Sequence, residues 1–576
     1  MCETCSSKPK NFFVQPNFVK KIIYLEQKFS HINFKSMSYT IFADGISPFR
    51  KSKSTLWPIF LVSNELNYHQ RYDIDNIIIL GIYFGYLKPE LQILLKMIIE
   101  PNLRNNSFCF DYNGNAYELK ITTIVADKPA RAMLLNMQNF NAKFGCIFCL
   151  TNVQTQIINN QRHVFIPYSC EFLTSLRSNA GSMSTAYSAL SSKIPEYGIK
   201  GYSFLANLSS INIVESNCID YMHSICLGVV KSICTLLFKN NKIPNELRFG
   251  SKIPSFDRII SKFKVSSLIS GSLNTIHNLN NWNAKDYRNF LLYIFPIVFS
   301  DYKSRPFFNC ILNLRHGIFL LLRPNILEED FTNAETFLRS FRQEFDKIFG
   351  AQYSTPNFHD IDHLVDCARK FGPLFENSGF NFEHINGRLK RLCKGNKRLD
   401  KQIIEKLGIF SNNIYSDKCR TPDVANFLSK RFKKNTWAQS FRINNYISIC
   451  GKITKTPCSF FNDTIITPFS SKRAIVDGQK IAVSSYCLDK GHIFSYFLSK
   501  DKKFCIELKS IFFSKLPPKA FYVAKKFSVK KIFFGIYEKN EFIGIDKGEL
   551  EYLLLNKSQV STLDDFCFET PFYECF

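Results

Sequence analysis

Acidic residues are scarce. The chain of 576 residues sets 48 Asp and Glu against 74 Lys and Arg, a formal net charge of +26. That deficit points to a polyanionic partner, nucleic acid foremost, with a coding bias toward Lys, Asn, Ile and Phe as the other source of the charge. The opening MCETCSSKPK lacks the apolar stretch of a secretory signal peptide. Long hydrophobic runs are missing as well: FLLYIFPIVF is among the longest and is too short to cross a bilayer. The expectation is a soluble protein with no membrane partner. No repeat of fixed period occurs, which excludes solenoids and propellers. The 19 Cys are scattered through a long chain rather than concentrated in a small one, which excludes a disulfide scaffold. Most of them are expected to be buried small apolar groups in a reducing compartment, with a few metal ligands. What is present is core material. Hydrophobic residues make up 45% of the chain, enough for large cores, and its length suggests about three to four domains.

Three apolar, β-branched runs come early: YTIFA, LWPIFLVS and NIIILGIYF. KPELQILLKMIIEPNL follows with helical spacing, YELKITTIVAD reads as a strand, and KPARAMLLNMQNF reads as a helix with Pro129 in its first turn. The order is β-β-β-α-β-α. Two of the strands end on acids, Asp44 and Asp127. Asp44-Gly45 taken alone is a hairpin signal. The order of elements, however, is that of an α/β ribonuclease-H-like core, whose sheet sets two strand ends side by side. The section from 150 to 355 reads as mostly helical and opens on a polar loop, SLRSNAGSMSTAYSALSSKIPEYG. TPNFHDIDHLVDCARKFG reads as one helix, started at Thr355-Pro356 and stopped at Gly372. NFEHINGRLKRLCKG reads as a basic helix, and from about 440 the pattern turns β-like.

Two-metal phosphoryl transfer needs several carboxylates converging on two hard cations about 4 Å apart. Asp44 and Asp127 are candidates for two of them. Glu383 is the best third, because it opens a helix whose Phe380 and Phe382 could pack on the sheet; Glu376 is the alternative. FGCIFCL offers Cys146 and Cys149, a spacing compatible with a redox pair, a zinc half-site or coincidence. NFHDIDHL offers His359 and His363, one helical turn apart, and the four together would close a tetrahedral structural Zn²⁺ site.

Taken in order, the blocks ADGISPFRKSKSTLWPIFLVSNEL, NIIILGIYFGYLKP, VADKPARAMLLNMQNFNAKFGCIFC, GIKGYSFL, IDYMHSICLGVVKSI, WNAKDYRNFLLYIFPIV and FHDIDHLVDCARKFGPLFENSGFNFEHINGRLKRL resemble the catalytic region of DDE transposases of the CACTA (En/Spm, Tnp2-type) group. The resemblance spans residues 36 to 400. It implies that Asp44, Asp127 and Glu383 hold two Mg²⁺ or Mn²⁺ ions for DNA strand cleavage and strand transfer. From Asp44 to Asp127 is 83 residues and from Asp127 to Glu383 is 256, and the longer interval implies a helical insertion. The implied domains are 1–35, the stub of a DNA-binding region; 36–150, the first part of the core; 151–355, the insertion; 356–435, completion of the core; and 436–576, a β-rich C-terminal domain. The more distantly similar Transib and V(D)J recombinase subunits imply the same Cys/His pairing and tie it to the helix that carries Glu383. The group also carries a motif like Asp220-x-x-His223, whose implied role is positioning near the active site or shaping the insertion, not metal binding, with a hydrogen-bonded His at a helix start as the plain alternative.

Cationic residues flank each acid. Arg50, Lys51 and Lys53 follow Asp44, and Arg131 lies one turn past Asp127. Arg388, Lys390, Arg391, Lys394 and Lys397 follow Glu383. They are candidates for phosphate contacts, with a solvated helix face as the plain alternative. Trp282, in the inserted section, is read chiefly as core packing and secondarily as a base-stacking group. Transposon ends and target DNA as partners, a homodimer or larger assembly, and a nuclear location follow from the resemblance. The second reading is a truncated or domesticated relative that binds DNA or protein without cutting.

Overall fold

The structure, a computed structural model, describes residues 12–14, 18–49, 54–73, 76–158, 160–169, 175–262, 274–393 and 401–402, and beyond these a set of strands between 439 and 555. The chain divides into two compact units. The first comprises 1–257 with 276–419, and the second comprises 258–275 with 420–576.

The first unit is mixed α/β. Eight strands form its sheet: β1 (Phe12–Val14), β2 (Ser36–Ala43), β3 (Thr55–Ser63), β4 (Ile78–Gly85), β5 (Leu103–Arg104), β6 (Ser107–Tyr112), β7 (Asn115–Val125) and, much later in the chain, β10 (Asn217–Cys218). The order is β1-β4-β3-β2-β7-β6-β5, with β10 paired to the end of β7. Neighbours are antiparallel except β2 with β7 and β7 with β10, which are parallel. The described part of 151–355, expected as helical, is mainly helical but opens on a pair of antiparallel strands, β8 (Gln154–Ile158) with β9 (Gln161–Phe165).

Side-chain alternation along the strands gives the sheet two apolar faces. Tyr39, Ile41, Ile59 and Leu61 join one core with Ile22 and Leu25 of the helix Phe18–Lys28 and Leu95 and Ile98 of the helix Leu91–Ile99. Phe12–Val14 and Phe18–Lys28, in the section expected as a stub ahead of the core, thus supply an edge strand and a packed helix, because Phe18, Ile22 and Leu25 recur at helical spacing. On the opposite face, Phe42 and Phe60 stack with Phe382. The β6–β7 hairpin turns at Asn113 and Gly114, both at positive φ (48° and 76°).

The segment expected as a polar loop forms the helix Asn179–Ser192. Ser178 caps it by accepting from the Gly181 amide, and its buried side is built of small residues, Ser182, Ala186 and Ala189. The stretch Tyr221–Lys239 opens as a wide π-type coil and continues as an α-helix. By length and composition it could cross a membrane, yet 72% of its apolar window is buried inside the fold. Around it, Phe238, Phe249, Phe290, Phe295 and Phe299 form an aromatic cluster. Helices Pro306–Leu321 and Glu328–Phe349 approach closely at Gly317, where a Cβ would lie 2.5 Å from Leu338.

In the second unit the described strands pair antiparallel, in a four-stranded and a six-stranded sheet. The longest are Phe504–Lys515, Pro518–Phe533 and Phe542–Leu555.

Candidate functional site

In the parallel β2–β7 pair, Phe42 stands opposite Val125. Asp44 and Asp127 each lie two residues beyond that rung, so one sheet edge carries both carboxylates. Asp127 caps the helix Lys128–Leu134, accepting from the Ala130 amide at 2.7 Å. Asp44 accepts from the Gly45 amide at 2.6 Å.

Glu383 reaches the same edge from the helix Gly379–Leu392. Its neighbour Phe382, fully buried, lies face to face with Phe42, ring centroids 4.0 Å apart and 6° from parallel. Phe380 does not follow it onto the sheet. On the helix's other side it meets Tyr221, with the Arg288 guanidinium over its ring, because residues two apart on a helix diverge by about 200°. Donor atoms of Asp44, Glu383 and His223 all lie within 4.8 Å of one another. Asp127 is not in that trio but acts on it: burial first, then the charge of Asp127, push the Asp44 carboxyl up to about 7. Glu376, the alternative third acid, instead pairs with Arg71 at 3.5 Å.

His223, expected either to sit near the active site or to shape the insertion, stands beside Asp44 and Glu383. Asp220, 1% exposed, accepts from the Met222 amide at 2.9 Å, from the Gly379 amide at 2.8 Å and from His223 Nδ1 at 2.5 Å. One carboxylate therefore caps the coil that bears His223 and the helix that bears Glu383. Burial opposes a charge on His223, but Asp220, with Asp44 and Asp127 behind it, raises its pKa to about 9.

The second cluster is sulfur and nitrogen. Cys146, Cys149, His359 and His363 bring one donor atom each within 4.8 Å of the others. Cys149 Sγ lies 3.1 Å from His359 Nε2, Cys146 Sγ 3.6 Å from His363 Nε2, and the two Nε2 atoms 3.3 Å apart. Donors at about 2.0–2.3 Å from a tetrahedral ion are separated by about 3.3–3.8 Å, so the spacing suits such an ion. This cluster could hold a metal ion such as zinc.

The surroundings suit it too. Asp362 Oδ2 takes His359 Nδ1 at 3.0 Å, leaving Nε2 for the cluster, and Asp362 is itself held by the buried Arg342 at 3.1 Å. Arg177 gathers the carbonyls of Phe144, Cys146 and Cys149. Burial alone would raise the Cys146 thiol, but Cys149 and the two imidazoles hold it well below its usual range. The expected single helix is in fact two, Pro356–Ile361 and Leu364–Phe371, with His363 at the break. The His359 and His363 rings lie 4.9 Å apart at 86° to one another.

A buried ion pair lies between the clusters. Lys128 bonds Asp360, and Ser224 Oγ donates to the same carboxylate at 2.6 Å. Burial alone would raise Asp360; Lys128 and Arg131 bring it below its ordinary value.

Arg131, expected at a phosphate, is 3% exposed; it donates to the Cys218 carbonyl at 3.4 Å and lies over the Phe148 ring. Its place one turn into a helix facing the core accounts for that. Lys390 and Arg391 are exposed on the last turn of the Glu383 helix. Arg388 lies in that helix, with its side chain outside the description, and Arg50, Lys51, Lys53, Lys394 and Lys397 fall outside the described residues. Trp282 is packed against Tyr287 and Phe290, in the core. No model of a known protein family matches the chain, and no curated protein matches it at a significant level.

Proposed function

We propose that this chain is a divalent-metal-dependent enzyme of DNA cleavage and strand transfer, similar to DDE transposases of the CACTA group, with a ribonuclease-H-like core. The convergence of Asp44 and Glu383, 339 residues apart in the chain, with Asp127 on the adjoining strand end, carries the reading. Support for the core comes from the order β4-β3-β2-β7-β10, three antiparallel strands followed by two parallel ones. The residues fit hard cations. All three acids offer carboxylate oxygen; burial first, and then the charge of Asp127, raise the Asp44 pKa, and a nearby divalent ion would offset both. When bound, such ions polarise the phosphodiester and activate the attacking hydroxyl.

The chain's own residues do the positioning. Phe382 on Phe42 holds Glu383 at the sheet edge. Asp220 fixes the helix end beneath it and keeps His223 cationic, at a place where a phosphate oxygen would arrive. Lys390 and Arg391 would meet the backbone beside it. A structural zinc at the Cys/His cluster, DNA as substrate, a paired assembly to hold two DNA ends and a nuclear site of action belong to the same proposal.

The test is Mn²⁺-dependent nicking of supercoiled plasmid by the full chain. Asp44→Asn, Asp127→Asn and Glu383→Gln should each lower the rate by about 100-fold or more while DNA binding persists. Nicking that survives in all three variants refutes the assignment. DNA binding by a parent chain that never nicks supports instead a transposase-derived binding protein.

A further inference from the structure

Three residues already named share one property of sequence: each is followed at once by a member of a single buried contact. Asp127 precedes Lys128, His223 precedes Ser224, and His359 precedes Asp360. Asp360 is 3% exposed and Ser224 is 3% exposed, and both Asp360 oxygens are engaged, Oδ1 by Lys128 and Oδ2 by Ser224 at 2.6 Å. The carboxylate therefore joins the start of the Lys128–Leu134 helix, the coil that bears His223 and the helix that begins the His pair.

We infer that Asp360 is a positioning residue that holds the acid cluster in register with the Cys/His cluster. The inference rests on reading Asp44, Asp127 and Glu383 as a cation site, and it goes further by naming what aligns that site. Asp360 touches none of the three acids. It acts through backbone: a shift of Lys128 moves Asp127, and a shift of Ser224 moves His223. Buried hydrogen-bonded charges are stiff, because breaking one contact leaves an unpaired ion in the interior. Order at the Cys/His cluster is thereby passed to the acids, while disorder there would loosen two of the groups at the sheet edge.

The experiment uses the full chain with Co²⁺ in place of the ion at the Cys/His cluster, whose visible absorption reports that site, and Mn²⁺ binding followed by electron paramagnetic resonance. Asp360→Asn keeps the shape but removes the charge that holds Lys128. It is expected to weaken Asp44-dependent Mn²⁺ binding by about tenfold or more, the usual scale of lost second-layer support, with the Co²⁺ spectrum retained. Ser224→Ala, which cuts one arm and spares the ion pair, should weaken Mn²⁺ binding less and serves if Asp360→Asn does not fold. A merely structural role would lower thermal stability and leave the Mn²⁺ affinity of the folded protein unchanged. Mn²⁺ affinity within about twofold of the parent in both variants overturns the inference. A parent chain with no Asp44-dependent Mn²⁺ binding overturns the cation-site reading itself, and the inference with it.

Discussion

Phe382 lies flat on Phe42, ring centroids 4.0 Å apart, and each ring is a near neighbour in sequence of an acid at the sheet edge. Replacing Phe382 by Ala should cost about 3–5 kcal/mol in urea unfolding, because the site is fully enclosed and cannot collapse onto Phe60 without moving the helix. Phe382→Leu should cost less. Both should weaken Mn²⁺ binding relative to the parent, in the same order, since the stack is what sets Glu383 against Asp44.

The Asp220 carboxylate serves two helix starts and one imidazole. Asp220→Ala leaves the buried Met222 and Gly379 amides without their acceptor and removes the partner of His223 Nδ1, and a loss of about 3–5 kcal/mol is expected from chemical denaturation. Gly379→Ala should also destabilise, since a Cβ there would stand 2.6 Å from Asp220 Oδ2.

Metal analysis of the purified chain should find one zinc per molecule. Cys146→Ala and Cys149→Ala should each abolish it. Asp362→Ala, which frees His359 Nδ1, should weaken zinc affinity by about 10- to 100-fold in a chelator competition.

His316 gives a pH dependence that owes nothing to either cluster. Burial, then the neighbouring Arg315, lowers its pKa to about 4 from 6.5, and it is 6% exposed. The folded chain therefore binds that proton less readily than the unfolded chain. The stability that neutral His316 contributes is complete above pH 6.5 and is lost as pH falls toward 4, in total about 3 kcal/mol. His316→Phe should flatten the stability profile across that window, measured by urea unfolding at a series of pH values.

Much of the site could be read from residue order because its parts are local. Asp44 and Asp127 each close an apolar run, and parallel pairing of the two runs makes them neighbours. The Cys and His pairs are short motifs whose side chains have one chemistry in common. Other features carried a weak local signal or none. The helix Asn179–Ser192 hides its buried side in Ser182, Ala186 and Ala189, which look polar or neutral in a hydrophobic pattern. The β6 strand was announced by Asn113-Gly114, a hairpin signal that the apolar runs on either side overshadowed. Arg177 holds three carbonyls around the Cys pair with no spacing to mark it. His223 reaches Asp44 only because a wide coil and a distant helix start meet on Asp220.

The far separation of Asp44 and Glu383 also sets a clock on synthesis. A ribosome adds about 5–20 residues per second, so the first acid emerges tens of seconds before the last. During that interval the nascent chain carries the Phe42 face of its sheet uncovered, and Phe382 arrives to seal it and to complete the acid cluster in the same event. Burial of that face and completion of the acid cluster thus fall in one step, so a half-made chain still lacks Glu383 at its sheet edge.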